Sequence, residues 1–328
     1  MQAMQMRAVG QPLEPADVPE PKIGPGEIGI DIAACGVCRT DLHIIDGDLD
    51  RPELPLILGH QIVGRVSEVG TEVEGLELGG RIGIPWLGWT CGRCSQCLAG
   101  RENLCEHARF TGYHRDGGFA ERAVAAADYA FPLPGGLDDV HAAPLLCAGL
   151  IGYRAWRMCD APERVGLFGF GSAAHLISRV AISDGAEVAA FTRPGDEERQ
   201  AFARRIGAGW AGGSDEQPPV ALDAAIIFAP VGDLVPAALK AVRPGGRVVC
   251  AGIHMSEIPA FPYELLWGER QLRSVANLTR RDGEELLPLA AELRIEPEVS
   301  VYPLERTNEA LEDLREGRVE GSAVVSLA

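Results

Sequence analysis

The chain has 328 residues, 46% hydrophobic and 23% charged, an ordinary balance for a soluble globular protein of a length that favours two domains. A formal net charge of -17 argues against nucleic-acid binding, which relies on a basic footprint, and no apolar run nears the ~18 residues of a membrane span. The start, Met1 to Arg7, shows no basic segment followed by an apolar one, so a cytoplasmic location with reduced thiols is expected.

From Met6 to about Val124, short β-branched runs at 27–33, 61–69 and 81–84 are broken by glycine and proline and predict an irregular β-rich domain. From about Ala142 the texture changes to alternation. A helix at 146–156 precedes a strand at 164–168, a helix at 172–183 and a strand at 187–192. A strand at 224–228, a helix at 235–242 and strands at 247–251 and 271–276 continue the pattern. A helix at 284–293, a strand at 299–303 and a helix near 308–316 close the chain, and 212–219 reads as a surface loop. Strand–helix alternation predicts an α/β fold with a doubly wound parallel (Rossmann) sheet beside the β-rich domain.

Cys91, Cys94, Cys97 and Cys105 put four thiols within fifteen residues, while Cys38, His60 and Cys147 are three further potential metal ligands dispersed along the chain. Zinc takes four thiolates in a closed structural site, whereas a catalytic site keeps three protein ligands and an open position. The clustered set fits the first pattern and the dispersed set the second. Two zinc ions per chain are therefore expected.

Gly169-Phe170-Gly171-Ser172-Ala173-Ala174 lies between a predicted strand and a predicted helix, the setting of a dinucleotide fingerprint. Gly169 permits the tight turn, Gly171 the approach of a pyrophosphate, and Ala174 close helix packing, with Ser172 opening the helix. The following strand ends in Thr192 and Arg193 rather than an acidic residue, which predicts NADP(H) over NAD(H). With only Lys22 and Lys240 as lysines, phosphate contacts must come from arginine or backbone.

The ordered set Cys35-Gly-Val-Cys38-Arg39-Thr40-Asp41-Leu42-His43, Gly59-His60-Gln61, the four-cysteine cluster, Leu146-Cys147-Ala148-Gly149 and then the glycine turn resembles the zinc-dependent medium-chain alcohol dehydrogenases. It is closest to the compact bacterial enzymes acting on primary alcohols and aldehydes, and the likeness covers nearly the whole chain. The resemblance implies a GroES-like catalytic domain at 1–148 completed by 281–328, with the dinucleotide-binding domain at 149–280 and the active site in the cleft. It implies that Cys38, His60 and Cys147 hold the catalytic zinc, and Cys91, Cys94, Cys97 and Cys105 the structural one. Thr40 and His43 take the family's proton-relay positions, Arg39 a cofactor-phosphate position, and Asp41 that of the carboxylate orienting His60. Gln61 stands where many relatives have glutamate, and Ile151 where many have threonine. Trp86, Leu87 and Trp89 fall where the family builds its alcohol pocket, and residues 263–267 close that pocket or meet a second subunit. A homodimer or homotetramer is expected. Cys35 is not read as a redox partner of Cys38, and Cys159 and Cys250 are expected to pack as small apolar groups. A polyol or secondary-alcohol dehydrogenase, or a non-catalytic zinc- and nucleotide-binding protein, remains the alternative.

Overall fold

The computed structural model describes residues 1–49 and 52–327, so Ala328, the last residue of the expected terminal segment, lies outside the described residues. The chain forms two compact units, 1–148 with 277–328, and 149–276.

Among the described residues, the first unit is built on a seven-stranded sheet in the order Phe131–Pro132, Arg81–Ile84, Ile62–Val69, Glu27–Val37, Ser322–Ser326, Val299–Pro303, with Arg122–Ala126 also pairing to Glu27–Val37. The long strand Glu27–Val37 is the spine, antiparallel to three partners. Its inward residues Ile28, Ile30 and Ala34 are fully buried, as alternation on a pleated strand requires. The terminal strand Ser322–Ser326, which the sequence reading does not anticipate, pairs Val325 with Cys35 and Ala323 with Val37. It thereby braces the stretch leading into Cys38.

The second unit carries a six-stranded parallel sheet in the order Trp210–Gly213, Glu187–Thr192, Arg164–Phe168, Leu222–Ile227, Val242–Cys250, Gln271–Ser274. The order reverses at Arg164–Phe168, the switch point beside which open α/β sheets bind ligands. Phe168 and Phe191 stack at 3.9 Å in the core with Leu222, Ile227, Leu239 and Val248.

Several boundaries depart from expectation for identifiable reasons. The helix expected at 284–293 runs Arg280–Glu292, opened by Thr279 and Asp282 in a reciprocal cap. Gly283 is not its boundary but a contact point, since a Cβ there would meet the Phe131 ring at 2.4 Å. The loop expected at 212–219 begins inside a strand: Gly212 and Gly213 are buried and pair with Phe191 and Thr192. A helix unmarked in the sequence reading, Glu197–Ile206, is capped by Asp196, whose side chain accepts from the Arg199 amide at 3.0 Å. Among the described residues, no helix is long and apolar enough to cross a membrane.

Candidate metal and nucleotide sites

A short helix, Arg39–Asp46, begins at Cys38, whose extended backbone makes it the N-cap. Asp41 closes this start, accepting the Cys38 amide at 2.8 Å through Oδ2. Helical spacing turns Thr40, Asp41, Leu42, Ile44 and Ile45 inward, leaves Arg39 exposed and His43 partly so. Asp41, with no exposure, also accepts the Gly59 amide at 3.2 Å and faces His60 Nδ1 at 3.3 Å through Oδ1.

Neither ring nitrogen of the fully buried His60 has a hydrogen-bond partner of good geometry; Nδ1 faces the Asp41 carboxylate, and Nε2 has no such group. The Cys38 and Cys147 sulfurs lie 4.0 Å apart, and one ligand atom each from Cys38, His60 and Cys147 falls within 4.8 Å of the others. A buried, unpartnered imidazole nitrogen facing two sulfurs is costly unless a cation sits among them. Burial disfavours charge on His60, yet Asp41 and Cys38 outweigh it and raise its pKa to about 10. The contact with Cys147 drives Cys38 well down against its burial, and the same contact drives Cys147 well up. Two sulfurs and one imidazole at this spacing fit zinc with a position left open. Gln61, 3% exposed, packs its amide onto Gly36, where a Cβ would come within 2.7 Å of Oε1.

The second group, Cys91, Cys94, Cys97 and Cys105, also has its sulfurs within 4.8 Å of one another, with Cys94 to Cys97 at 3.5 Å and Cys91 to Cys105 at 3.6 Å. The amides of Arg93 and Cys94 lower Cys91 to about 6, whereas desolvation lifts Cys105 to about 11. The Thr90 hydroxyl lies 3.6 Å from Cys97 Sγ and 2.7 Å from the Tyr129 hydroxyl, so the lobe is tied to the segment after Arg122–Ala126. Four sulfurs converging in this way fit a closed structural zinc, which takes four thiolates.

In the second unit, Gly169 has φ 90, and a Cβ there would meet Ala229 N at 2.8 Å, so this turn needs glycine. A Cβ on Gly171 would meet nothing within 4 Å, leaving open space in front of the helix Ser172–Ser183. That N-terminus carries no side-chain cap, and Ala174 is fully buried beneath it. Uncapped amides facing open space fit a pyrophosphate. Of the pair expected at a 2′-phosphate, Arg193 is exposed but Thr192 is only 5% so. The Thr192 hydroxyl points to the Arg193 and Gly212 carbonyls at 3.1 and 3.4 Å and receives the Gln200 amide at 3.3 Å. The hydroxyl expected at the phosphate is thus engaged within its own unit, by carbonyls of the adjoining residue and of the strand Trp210–Gly213.

Of the residues expected at an alcohol pocket, Trp86 is 5% exposed with its ring 4.9 Å from His60, Leu87 is fully buried, and Trp89 is 40% exposed. Trp86 is held by stacking on Phe110 at 4.9 Å and Tyr113 at 5.8 Å, partners that the sequence reading passes over because they lie beyond the cysteine cluster. Tyr263 and Trp267 are 72% and 66% exposed, and Ile151 is partly buried. Cys35 is buried in the spine strand, where desolvation pushes its thiol far up and makes it inert. Cys159 is buried and Cys250 partly so.

Residues 24–135 match the family described as the alcohol dehydrogenase GroES-like domain, and residues 210–325 the family described as zinc-binding dehydrogenase. A probable alcohol dehydrogenase of Mycobacterium tuberculosis is 45% identical, over 99% of this chain and 97% of its own. An alcohol dehydrogenase of Geobacillus stearothermophilus is 36% identical over the whole of both chains. Among solved structures, the alcohol dehydrogenase of the archaeon Aeropyrum pernix superposes with a TM-score of 0.89 at 29% identity, covering 99% of this chain and 100% of that one.

Proposed function

Because the chain belongs to the zinc-dependent medium-chain alcohol dehydrogenase family, we propose that it interconverts primary alcohols and aldehydes, preferring NADP(H), on a zinc held by Cys38, His60 and Cys147. The observation that carries this reading is the unpartnered, fully buried His60 Nε2 beside two sulfurs.

A zinc held by Cys38, His60 and Cys147 would supply Lewis-acid polarisation of a substrate oxygen and lower that oxygen's affinity for its proton. The protein's own groups do the rest. Asp41 orients His60, and because an ionised carboxylate only accepts, it keeps the proton on Nδ1 and Nε2 free. Thr40, 3.7 Å from Cys38 Sγ and 7% exposed, is the first hydroxyl to take up the proton, and His43 delivers it to solvent. Trp86 walls the site beside His60 with an apolar face suited to unbranched primary alcohols. Gln61, neutral and buried next to His60 in the chain, adds no negative charge there.

Cys91, Cys94, Cys97 and Cys105 hold a second, structural zinc. The turn Gly169 to Ala174 seats the cofactor pyrophosphate, Arg193 contacts the 2′-phosphate, and Arg39 is a further phosphate ligand. We place the enzyme in the cytoplasm as a homodimer or homotetramer, with the exposed Tyr263 and Trp267 as apolar surface for a subunit contact.

The test is a set of initial rates with NADPH and NADH against primary aldehydes, ketones and polyol-derived ketoses. Aldehydes reduced fastest, with NADPH, agree with this reading. Faster ketose or ketone reduction would assign a polyol or secondary-alcohol enzyme, and cofactor binding without turnover would remove the catalytic reading.

A further inference from the structure

One loop, residues 110–119, reaches both the wall beside His60 and the chain that leads into His60. At its start Arg109–Phe110 pairs with Leu87–Trp89, and the Thr111 amide donates to the Trp86 carbonyl at 2.9 Å. The Phe110 ring lies flat on that of Trp86, 10° from parallel at 4.9 Å. The turn that follows is closed on itself, with the His114 amide donating to the Phe110 carbonyl at 2.9 Å and the Gly112 amide to the Arg115 carbonyl at 2.8 Å. At its end the same loop grips residues 57–59. The amides of Gly117, Gly118 and Phe119 donate to the carbonyls of Ile57, Gly59 and Leu58 at 2.8, 2.8 and 2.9 Å, and Asp116 Oδ1 accepts the Ile57 amide at 2.9 Å. Since the Trp86 ring meets the His60 ring edge-on at 4.9 Å, wall and ligand are held by the two ends of one clamp. Gly117 is where the clamp presses hardest. A Cβ there would stand 2.1 Å from the Gly59 carbonyl oxygen, 2.7 Å from that of Leu58 and 2.8 Å from Gly112 Cα, all of them backbone atoms that cannot swing aside.

We propose that Gly117 is a positioning residue for the alcohol site: by admitting backbone-to-backbone contact with Gly59 it fixes how closely the Trp86 ring stands to His60, and so makes the site select unbranched over branched substrates. The inference rests on the reading of Cys38, His60 and Cys147 as the zinc site at which alcohol reacts. Gly59 is held from its other side by Asp41, which accepts its amide at 3.2 Å, and Trp86 is backed by Tyr113 at 5.8 Å. With both neighbours fixed, the loop sets the spacing. A close-packed interior transmits strain, so a side chain at 117 displaces Trp86 through Phe110 and His60 through the Gly59 peptide.

The experiment compares Gly117→Ala, Asp116→Ala, Asp116→Asn and Phe110→Leu with the parent, all as zinc-loaded full-length protein with folding checked by circular dichroism. Two quantities are read: the ratio of kcat/KM for isobutyraldehyde to that for butyraldehyde, and zinc affinity by chelator competition. We expect Gly117→Ala to raise the ratio about 10-fold, the lower end of what one methylene is worth in an apolar pocket, and to weaken one of the two zinc ions about 10-fold. Asp116→Ala removes only the acceptor of the Ile57 amide and shifts both quantities the same way by about 3-fold, while Asp116→Asn keeps an acceptor oxygen and restores the parent values. Phe110→Leu frees the Trp86 ring without touching the grip on residues 57–59, so it raises the ratio and leaves both zinc ions at parent affinity. Folded Gly117→Ala and Asp116→Ala with parent values of both quantities overturn the proposal, as does weakened zinc with an unchanged ratio, which leaves the loop a support for His60 alone. If Gly117→Ala does not fold, the two Asp116 variants decide. A parent without turnover defeats the functional reading and the selectivity with it; an active parent beside unresponsive variants defeats the role of Gly117 alone.

Discussion

Replacing Asp41 with asparagine removes one charge, leaves the shape, and sets a buried amide against donors that the carboxylate accepts from. Asp41 is fully buried and its two oxygens meet three nitrogens: Cys38 N at 2.8 Å, Gly59 N at 3.2 Å and His60 Nδ1 at 3.3 Å. Asparagine can satisfy only one side. If its NH₂ faces Cys38, two donors oppose each other at a buried position, which costs about 1–3 kcal/mol. If the NH₂ turns to Gly59 and His60, it opposes the Gly59 amide and forces Nδ1 to accept, moving the ring hydrogen to Nε2, the nitrogen that the metal needs. Either way the site loses a charge-assisted interaction of about 1.5–3 kcal/mol, in line with the 10–100-fold loss of metal affinity typical when the partner of a ligating histidine is removed. Chelator competition, with zinc release followed colorimetrically, should show one of two zinc ions weakened by that factor and the other, at the four cysteines, unchanged. Unchanged affinity of both ions in a folded Asp41→Asn protein would refute the argument.

Three further outcomes are expected. Cys147→Ala should abolish turnover with little change in melting temperature, whereas Cys94→Ala should chiefly lower melting temperature, because the first site does chemistry and the second closes a lobe; calorimetry and rate assays separate them. Arg193→Ala should reduce the ratio of kcat/KM for NADPH to that for NADH about 10- to 100-fold, the worth of one charge-assisted bond of about 1.5–3 kcal/mol, and an unchanged ratio removes Arg193 from the 2′-phosphate site. Asp223 accepts the Arg164 amide at 2.8 Å and Arg243 Nε at 2.6 Å, and although burial works against its charge, these partners hold its carboxyl below the usual range. Its folded pKa is therefore lower than the unfolded value of about 3.9, so its stabilisation is fully present above that value and lost as pH falls through the folded one. Asp223→Asn should cost about 2 kcal/mol in denaturant titrations at neutral pH, with the difference from the parent shrinking in acid; a difference independent of pH contradicts the assignment.

How far the sequence reaches depends on how locally each feature is determined. The strand Arg164–Phe168 and the helix Ser172–Ser183 are found where expected, because apolar runs there are punctuated by glycine. The helix Glu197–Ile206 escapes notice since only Phe202 and Ala203 are buried on it, too thin a stripe to read as periodic. Trp210–Gly213 and Gly283 run against expectation because glycine suggests a break, while here it lets a strand and the Phe131 ring come close. Cysteine and histidine types make the two candidate metal groups legible, but their 4.8 Å convergence is a tertiary fact. The stacking of Phe110 and Tyr113 on Trp86, the inward turn of Thr192 and the approach of Asp48 to His43 come from strand neighbours and a helix-closing turn, which carry no residue-level signature of their own.

Whether Cys38, His60 and Cys147 bind the zinc at which alcohol is oxidised is decided by measuring zinc per chain and nicotinamide-linked turnover side by side in the parent and in Cys147→Ala. Two ions and turnover are expected in the parent, and one ion, an intact fold and no turnover in the variant. Two ions retained with undiminished turnover in Cys147→Ala would contradict it.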